Sequence, residues 1–223
     1  MKTIARIQNS FVSKFGIPRQ SGVIKETESR IVFEPEFRIR EAVRGLEEYE
    51  YIWLIWVFTE NGNKWHPTVR PPRLGGNKRV GVFATRSPFR PNPIGLSSVR
   101  LLRIEHNETE GPVLVVGGAD LMNGTEIIDI KPYLPYTDSH ESAKAGFSDS
   151  VDNAEMTVVF PDECMGIIDT KDLEIVKAML AKDPRPSYQD DERVYGMAYD
   201  VYDIHFVIKE STVTVLDIQK MSE

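Results

Sequence analysis

Between Val69 and Leu96 the chain reads VRPPRLGGNKRVGVFATRSPFRPNPIGL, which puts five prolines and four glycines into 28 residues. Proline locks φ near −65° and lacks a donor, and glycine reaches backbone conformations that other residues avoid. No long helix survives such a lattice, so the stretch must run as stiff loops. Only Arg79 to Thr85 within it reads as a strand, and Leu96 to Ile104 reads as the next. The loops carry Arg70, Arg73, Lys78, Arg79, Arg86 and Arg90. Two stiff basic loops on neighbouring strand ends form a pocket wall.

Charge is segregated around this stretch. From His66 to Ile104 there are seven arginines, one lysine and no Asp or Glu, a local +8 in a chain of net charge −7 that leaves −15 elsewhere. Such a block builds a positive field that the overall acidity conceals. The bland alternative is an arginine-rich face paired with acidic neighbours in solvent. Flexible solvated arginines, however, need no scaffold of proline and glycine.

The rest of the composition bounds the class. At 223 residues, 41% hydrophobic and 27% charged, the chain suits one large globular domain or a domain with a small appendage. The longest apolar run, Ile52 to Phe58, is far short of the roughly 20 residues a spanning helix needs. The first residues hold no apolar run of signal-peptide length, so a cytoplasmic location with no membrane attachment is expected. Cys164 is the one cysteine and reads as inert packing. His66, His106, His140 and His205 lack metal-ligand spacing, so no metal is expected.

In chain order, Ile4 to Ile7 reads as an opening strand and Phe37 to Glu48 as an amphipathic helix with Ile39, Val43 and Leu46 on one face. The run YIWLIWVF reads as a strand buried on both faces, with Trp53 and Trp56 as core. GPVLVVGGAD imitates a dinucleotide-binding turn, but Asn123-Gly124 and the strand-like Ile127 to Ile130 follow, which predicts an antiparallel hairpin with Asp120 and Asn123 at its tip. After Ser139 a small, polar stretch reads as a linker. Beyond it, Glu155 to Phe160 (strand), Thr170 to Lys182 (helix), Tyr199 to Lys209 and Thr212 to Ile218 (strand pair) predict a small α+β unit. The motif DPRPSY, Asp183 to Tyr188, adds another proline-held arginine, Arg185.

The motifs FGIPRQSG, VRPPRLGGN, GVFATRSPFRPNPIGLS, DLMNGTEIIDIKPYLPY and DPRPSY, in that order, resemble the TsaA-like family and, within it, the TrmO-type tRNA (adenine-N6)-methyltransferases. The resemblance implies a mainly β protein: a single-sheeted β-barrel over residues 1–145 that binds S-adenosylmethionine (AdoMet), and a small C-terminal α+β domain over 146–223. It implies a homodimer and methylation of N6 of threonylcarbamoyladenosine at position 37 in the tRNA anticodon stem–loop. Carried over position by position, AdoMet contacts fall on Pro18, Arg19, Gln20, Tyr51, Ile52, Arg86, Leu96, Asp120, Leu121, Met122 and Asn123. Two places depart from the family pattern. Tyr49-Glu50-Tyr51 stands where relatives show Phe-Ser-His, and Asn123 and Glu126 replace an Asp and a Pro.

The residues are chemically suited to that ligand. Arg19 or Arg86 can hold a carboxylate in a bidentate pair, Asp120 can take ribose hydroxyls or an ammonium, and Tyr51 can offer its π face to an adenine or a sulfonium. Asp120 paired with Arg86 merely to brace a barrel rim is the structural alternative. Asn92, in Arg90-Pro91-Asn92-Pro93, is the candidate to orient the acceptor nitrogen, against a role in fixing its own turn. Arg70, Arg73, Lys78, Arg79 and Arg90 are the phosphate candidates, with Arg185 closing from the appendage. Two other readings fit parts of the pattern: a non-catalytic AdoMet-sensing or RNA-binding module, and a methyltransferase for another adenine-containing substrate.

Overall fold

The computed structural model describes residues 1–62, 64–74, 76–150, 154–185 and 193–221. Six strands close a barrel: β1 (Ala5–Gln8), β2 (Glu28–Phe33), β3 (Tyr51–Val57), β6 (Ile94–Asn107), β7 (Gly111–Gly117) and β8 (Glu126–Pro132). Their order is β1-β2-β7-β6-β3-β8, closed by β8 on β1, and every pair is antiparallel. Two short strands, β4 (Thr68–Val69) and β5 (Val80–Gly81), form a separate ribbon within the basic loops. A barrel this narrow is filled by its own side chains. Ile7, Ile31, Ile52, Leu54, Leu114, Val116 and Ile127 meet inside it, each fully buried.

The second sheet has the order β10 (Tyr195–Tyr199), β11 (Tyr202–Lys209), β12 (Thr212–Lys220) and β9 (Thr157–Val159), with β9 parallel to β12. Helix α2 (Thr170–Ala181), which follows the single-turn α1 (Pro135–Asp138), packs on this sheet. Asp169 caps α2 by accepting from the Asp172 N–H at 2.9 Å. Ile175, Val176, Met179 and Leu180 share a core with Ile204 and Phe206. Phe11 and Ile24 belong to that same core although they lie between β1 and β2, and Phe15 stacks against both Tyr195 and Phe206. At Gly16, with φ +92°, a Cβ would stand 2.4 Å from Met197 Sδ, so this loop seats only as glycine.

Four local expectations change. Phe37 to Glu48 is a chain of separate 3₁₀ turns, Pro35–Phe37, Arg40–Val43 and Leu46–Glu48. Extended backbone at Ile39 and Arg44 breaks the run. Of its predicted apolar face Val43 is buried while Ile39 is 51% exposed, so a continuous helix would have had little to pack against. Arg79 to Thr85 is strand only at Val80–Gly81; the Val82 carbonyl then accepts from the Thr85 N–H at 3.1 Å and hydroxyl at 2.8 Å, which turns the chain.

Strand β3 alternates. Ile52, Leu54 and Trp56 point into the barrel, and Trp53 faces outward, donating to Asp138 Oδ2 at 2.8 Å. One barrel has one interior, so only one face of the strand is fully buried. Finally, β7 and β8 do not pair: β7 lies between β2 and β6, and β8 between β1 and β3. The Asn123-Gly124 turn is satisfied from β1 and its loop, Asn123 N–H to the Phe11 carbonyl at 2.9 Å and Gly124 N–H to that of Ile7 at 2.8 Å.

Candidate functional site

The end of β3, the start of β6 and the segment after β7 converge at one mouth of the barrel. There Trp56 and Gly95 are cross-strand partners, and a Cβ on Gly95 would stand 2.2 Å from the Trp56 ring. The ring therefore lies flat over the glycine and plugs the barrel. A register irregularity where β8 meets β3 at Ile55/Trp56 re-aims the strand beside the plug, a common device next to sites.

From the plug a hydrogen-bond chain runs in one direction. Trp56 Nε1 donates to Ser97 Oγ at 3.0 Å, and the Ser97 hydroxyl donates to Asp120 Oδ1 at 2.5 Å. Indole N–H can only donate, so the serine proton is left for the carboxylate. Burial pushes the Asp120 carboxyl above the ordinary carboxylate range, against the opposing pull of the Ser97 hydroxyl and the Arg86 charge.

Above this floor opens a cavity of about 680 Å³, within the usual range for small-molecule sites at barrel mouths. Of the residues expected at the cofactor, Pro18, Arg19, Gln20, Arg86, Leu96, Asp120 and Met122 line it. Arg86 Nη1 donates to Gln20 Oε1, tying the Gly16–Gly22 loop to the basic loop that carries Arg86. Arg19 reaches away from the barrel to donate to the backbone carbonyls of Asp183, at 2.9 Å, and Arg185.

Other expected residues are placed elsewhere. Tyr51 and Ile52 stand at the far end of β3, five and four residues from the plug at Trp56, or about 17 and about 13 Å along a strand. Ile52 is sealed inside the barrel and Tyr51 meets Tyr133. The expectation passes to Phe58 and Thr59, which do line the cavity. Leu121 is buried in the barrel core. Asn123 Oδ1 accepts from the Asn9 N–H at 3.1 Å, so the residue fixes a turn. Asn92 is exposed on the turn into β6, between the lining residues Arg90 and Ile94.

The expected phosphate residues divide. Arg70, Lys78 and Arg79 are exposed, Arg79 also donating to Thr68 Oγ1 at 3.0 Å. Arg90 is spent on the carbonyls of Thr85, at 2.7 Å, and Ser87. Arg185 has a 10% exposed side chain in a bidentate pair with Asp183, both contacts 3.0 Å, so it braces a turn. The side chain of Arg73 and residues Pro186, Ser187 and Tyr188 of the DPRPSY motif lie outside the described set.

Sequence reasoning missed Ser97, Phe58, Thr59 and Thr125. For Ser97 the signal was present: the alternation of β6 sets it inward beside the outward Leu96. The lining fits AdoMet by its chemistry: guanidinium groups suit the carboxylate, the half-buried Asp120 suits the ammonium or ribose diol, and Pro18, Phe58, Leu96 and Met122 offer apolar surface for the adenine. Among the described residues no cluster of His, Cys, Asp and Glu is placed to hold a metal, and no helix is long and apolar enough to cross a membrane.

Two family models cover nearly all of the chain: the tRNA-methyltransferase O N-terminal domain matches residues 6–139, and the TrmO C-terminal domain matches 153–221. A tRNA (adenine(37)-N6)-methyltransferase of Escherichia coli K12 is 41% identical over 89% of this chain and 87% of its own length. One from Eikenella corrodens is 46% identical over 75% of this chain and 95% of its own. The crystal structure of TrmO from Pseudomonas aeruginosa superposes with a TM-score of 0.78 at 31% identity, covering 98% of this chain and 95% of that one. With both domains matched in order and a barrel whose mouth gathers the motif residues, the chain belongs to the TrmO family of tRNA methyltransferases.

Proposed function

We infer that the chain is an AdoMet-dependent methyltransferase acting on N6 of adenosine 37 in tRNA, and that its substrate is threonylcarbamoyladenosine in the anticodon stem–loop. The observation that carries this reading is the barrel-mouth cavity, in which a half-buried carboxylate faces arginines and which opens beside the basic segment from His66 to Ile94, with six cations and no acidic residue. AdoMet, the cofactor, brings an activated methyl group, so transfer asks chiefly that the acceptor nitrogen be held in line at about 3 to 3.5 Å.

This chain's own residues do the holding. The Trp56–Ser97–Asp120 chain fixes one carboxylate oxygen of a side chain that also lines the cavity. Arg19 and Arg86, on loops joined through Gln20, supply positive charge for a carboxylate. Asn92 sits where the turn between Arg90 and Ile94 brings an amide to the rim, and it serves to orient N6. Arg70, Arg73, Lys78 and Arg79 contact phosphate, which provides affinity without sequence information.

The same reading takes residues 1–145 and 146–223 as two domains, with the Phe11–Ile24 loop lent by the first to the core of the second. It takes the working form as a cytoplasmic homodimer, which light scattering of the purified chain checks at twice the chain mass.

The test is incubation with labelled AdoMet and bulk tRNA from cells lacking the endogenous enzyme, followed by nucleoside mass spectrometry. A one-methyl gain on threonylcarbamoyladenosine is expected. AdoMet binding without that gain would point to another substrate, and no AdoMet binding would end the enzymatic reading. Asn92→Ala should lower turnover by at least tenfold with AdoMet affinity unchanged, in line with the loss of one orienting group. Turnover within a few-fold of wild type would remove Asn92 from the mechanism.

A further inference from the structure

The face around the cavity carries aromatic rings that neither core buries: Phe83 is 75% exposed, Trp65 52% and Phe89 38%. They are organised about the mouth. Phe89 lines the cavity and meets His66 with ring centroids 5.8 Å apart, and the His66 N–H donates to the Phe89 carbonyl at 3.1 Å. Trp65 adjoins His66 in the chain. On the other branch Arg90, also in the lining, holds its guanidinium 5.8 Å from the Phe83 centroid while donating to the Thr85 carbonyl. Phe83 is thus tied to the mouth through the lining residue Arg90, and Trp65 is the chain neighbour of His66, which meets the lining residue Phe89.

What covers these rings follows from charge. From His66 to Ile94 the segment contains no acidic residue and carries +6, while Arg100 and Arg103, further along β6, are paired with Glu50, Glu28 and Glu105. An isologous contact with a second copy would press that segment against itself. A single-stranded polyanion with unstacked bases complements both the charge and the flat rings.

We propose that Phe83 and Trp65 are stacking platforms for the unpaired bases that flank the methylated one. This rests on the tRNA reading above and adds base contacts to the phosphate contacts made by Arg70 and Lys78. Phe83 and Trp65 do not line the cavity, so removing them leaves AdoMet binding intact.

The experiment uses the full chain and a synthetic anticodon stem–loop with threonylcarbamoyladenosine at its methylation position and 2-aminopurine beside it. Wild type should bind the stem–loop and quench the 2-aminopurine. Phe83→Ala and Trp65→Ala should each raise the Kd by about tenfold, restore the fluorescence and leave both the salt slope and AdoMet affinity unchanged, and Phe83→Trp should rescue binding. An unchanged Kd and quench in both alanine variants, with wild type binding normally, would overturn the stacking surface and leave the methyltransferase reading standing. So would a fall in oligomer mass with RNA binding intact, which would assign the rings to a second copy. No binding by wild type would overturn the RNA reading and this surface together.

Discussion

The floor and the wall of the cavity are made of different material. Trp56, Gly95 and Ser97 sit on paired strands of a closed barrel, and Asp120 follows directly on β7. Arg19, Gln20 and Arg86 sit on loops and are held by each other and by backbone carbonyls of the second unit. Charge follows the same division: a half-buried carboxylate in the floor, exposed cations in the wall. The floor's geometry is therefore paid for by the stability of the barrel, whereas the wall is adjustable and depends on a partner element more than 160 residues away in sequence.

Substitutions should separate the two. The largest effect is expected in the floor from Gly95→Ala, whose Cβ would drive into the Trp56 ring. Overpacking of this kind destabilises by roughly 1–3 kcal/mol, and this contact belongs at the upper end. Chemical denaturation checks it, and an unchanged midpoint would mean that Trp56 is free to move.

Asp120→Asn should weaken AdoMet binding by about 100-fold, near 2.7 kcal/mol, yet make the ligand-free protein more stable at neutral pH. The sign follows from the raised folded-state pKa. Ionising this carboxyl penalises folding, and the penalty is absent below the ordinary carboxylate pKa and grows as pH rises through the raised folded value. The advantage of Asn over Asp should thus vanish in acid. Thermal melts of both proteins across pH decide the matter, and a stability advantage that grew on acidification would refute the buried-charge account.

Ser97→Ala interrupts the relay and strands the indole N–H, at about 1–3 kcal/mol of stability. It also removes a donor that favours the ionised carboxylate, so the acid limb of AdoMet binding should move to higher pH. Calorimetric titrations at several pH values read this directly.

The wall should respond more gently. Arg185→Ala frees Asp183 and loosens the carbonyls that Arg19 grips, raising the AdoMet Kd by about fivefold, near 1 kcal/mol, without changing the salt dependence of tRNA binding. Arg70→Ala should do the reverse, lowering the salt slope by about 0.7 to 0.9 while sparing AdoMet. If the two variants behaved alike, Arg185 would be a phosphate contact after all.

Legibility in the sequence tracked the same division. The wall's motifs, from Gly16 to Gly22 and from Val69 to Leu96, are unusual in composition, so the family resemblance carries Pro18, Arg19, Gln20 and Arg86 onto them position by position, and all four line the cavity. The alternation of β6 sets Ser97 inward but does not name its partners, and Phe58 and Thr59 lie just past the end of β3; what brings the three to the mouth is cross-barrel pairing that local patterns do not encode. The Asn123-Gly124 signal misled for the same reason: the turn is real, but its hydrogen bonds go to β1 and the adjoining loop instead of closing a hairpin. The periodicity of Phe37 to Glu48 misled because a repeat of apolar residues makes a helix only where a core receives them.

The seating of Phe11, Phe15 and Gly16 against Tyr199, Tyr195 and Met197 bears on how the molecule can be dissected. A fragment ending near Ser139 would keep every barrel strand and still present bare phenylalanines to water, with Pro18 and Arg19 hanging from an unanchored tether. A fragment starting after Ser139 would have a hole where those rings belong. The small, polar join between the halves invites scissors, but the molecule is cross-stitched elsewhere, and the stitch runs beside the cavity-lining Arg19.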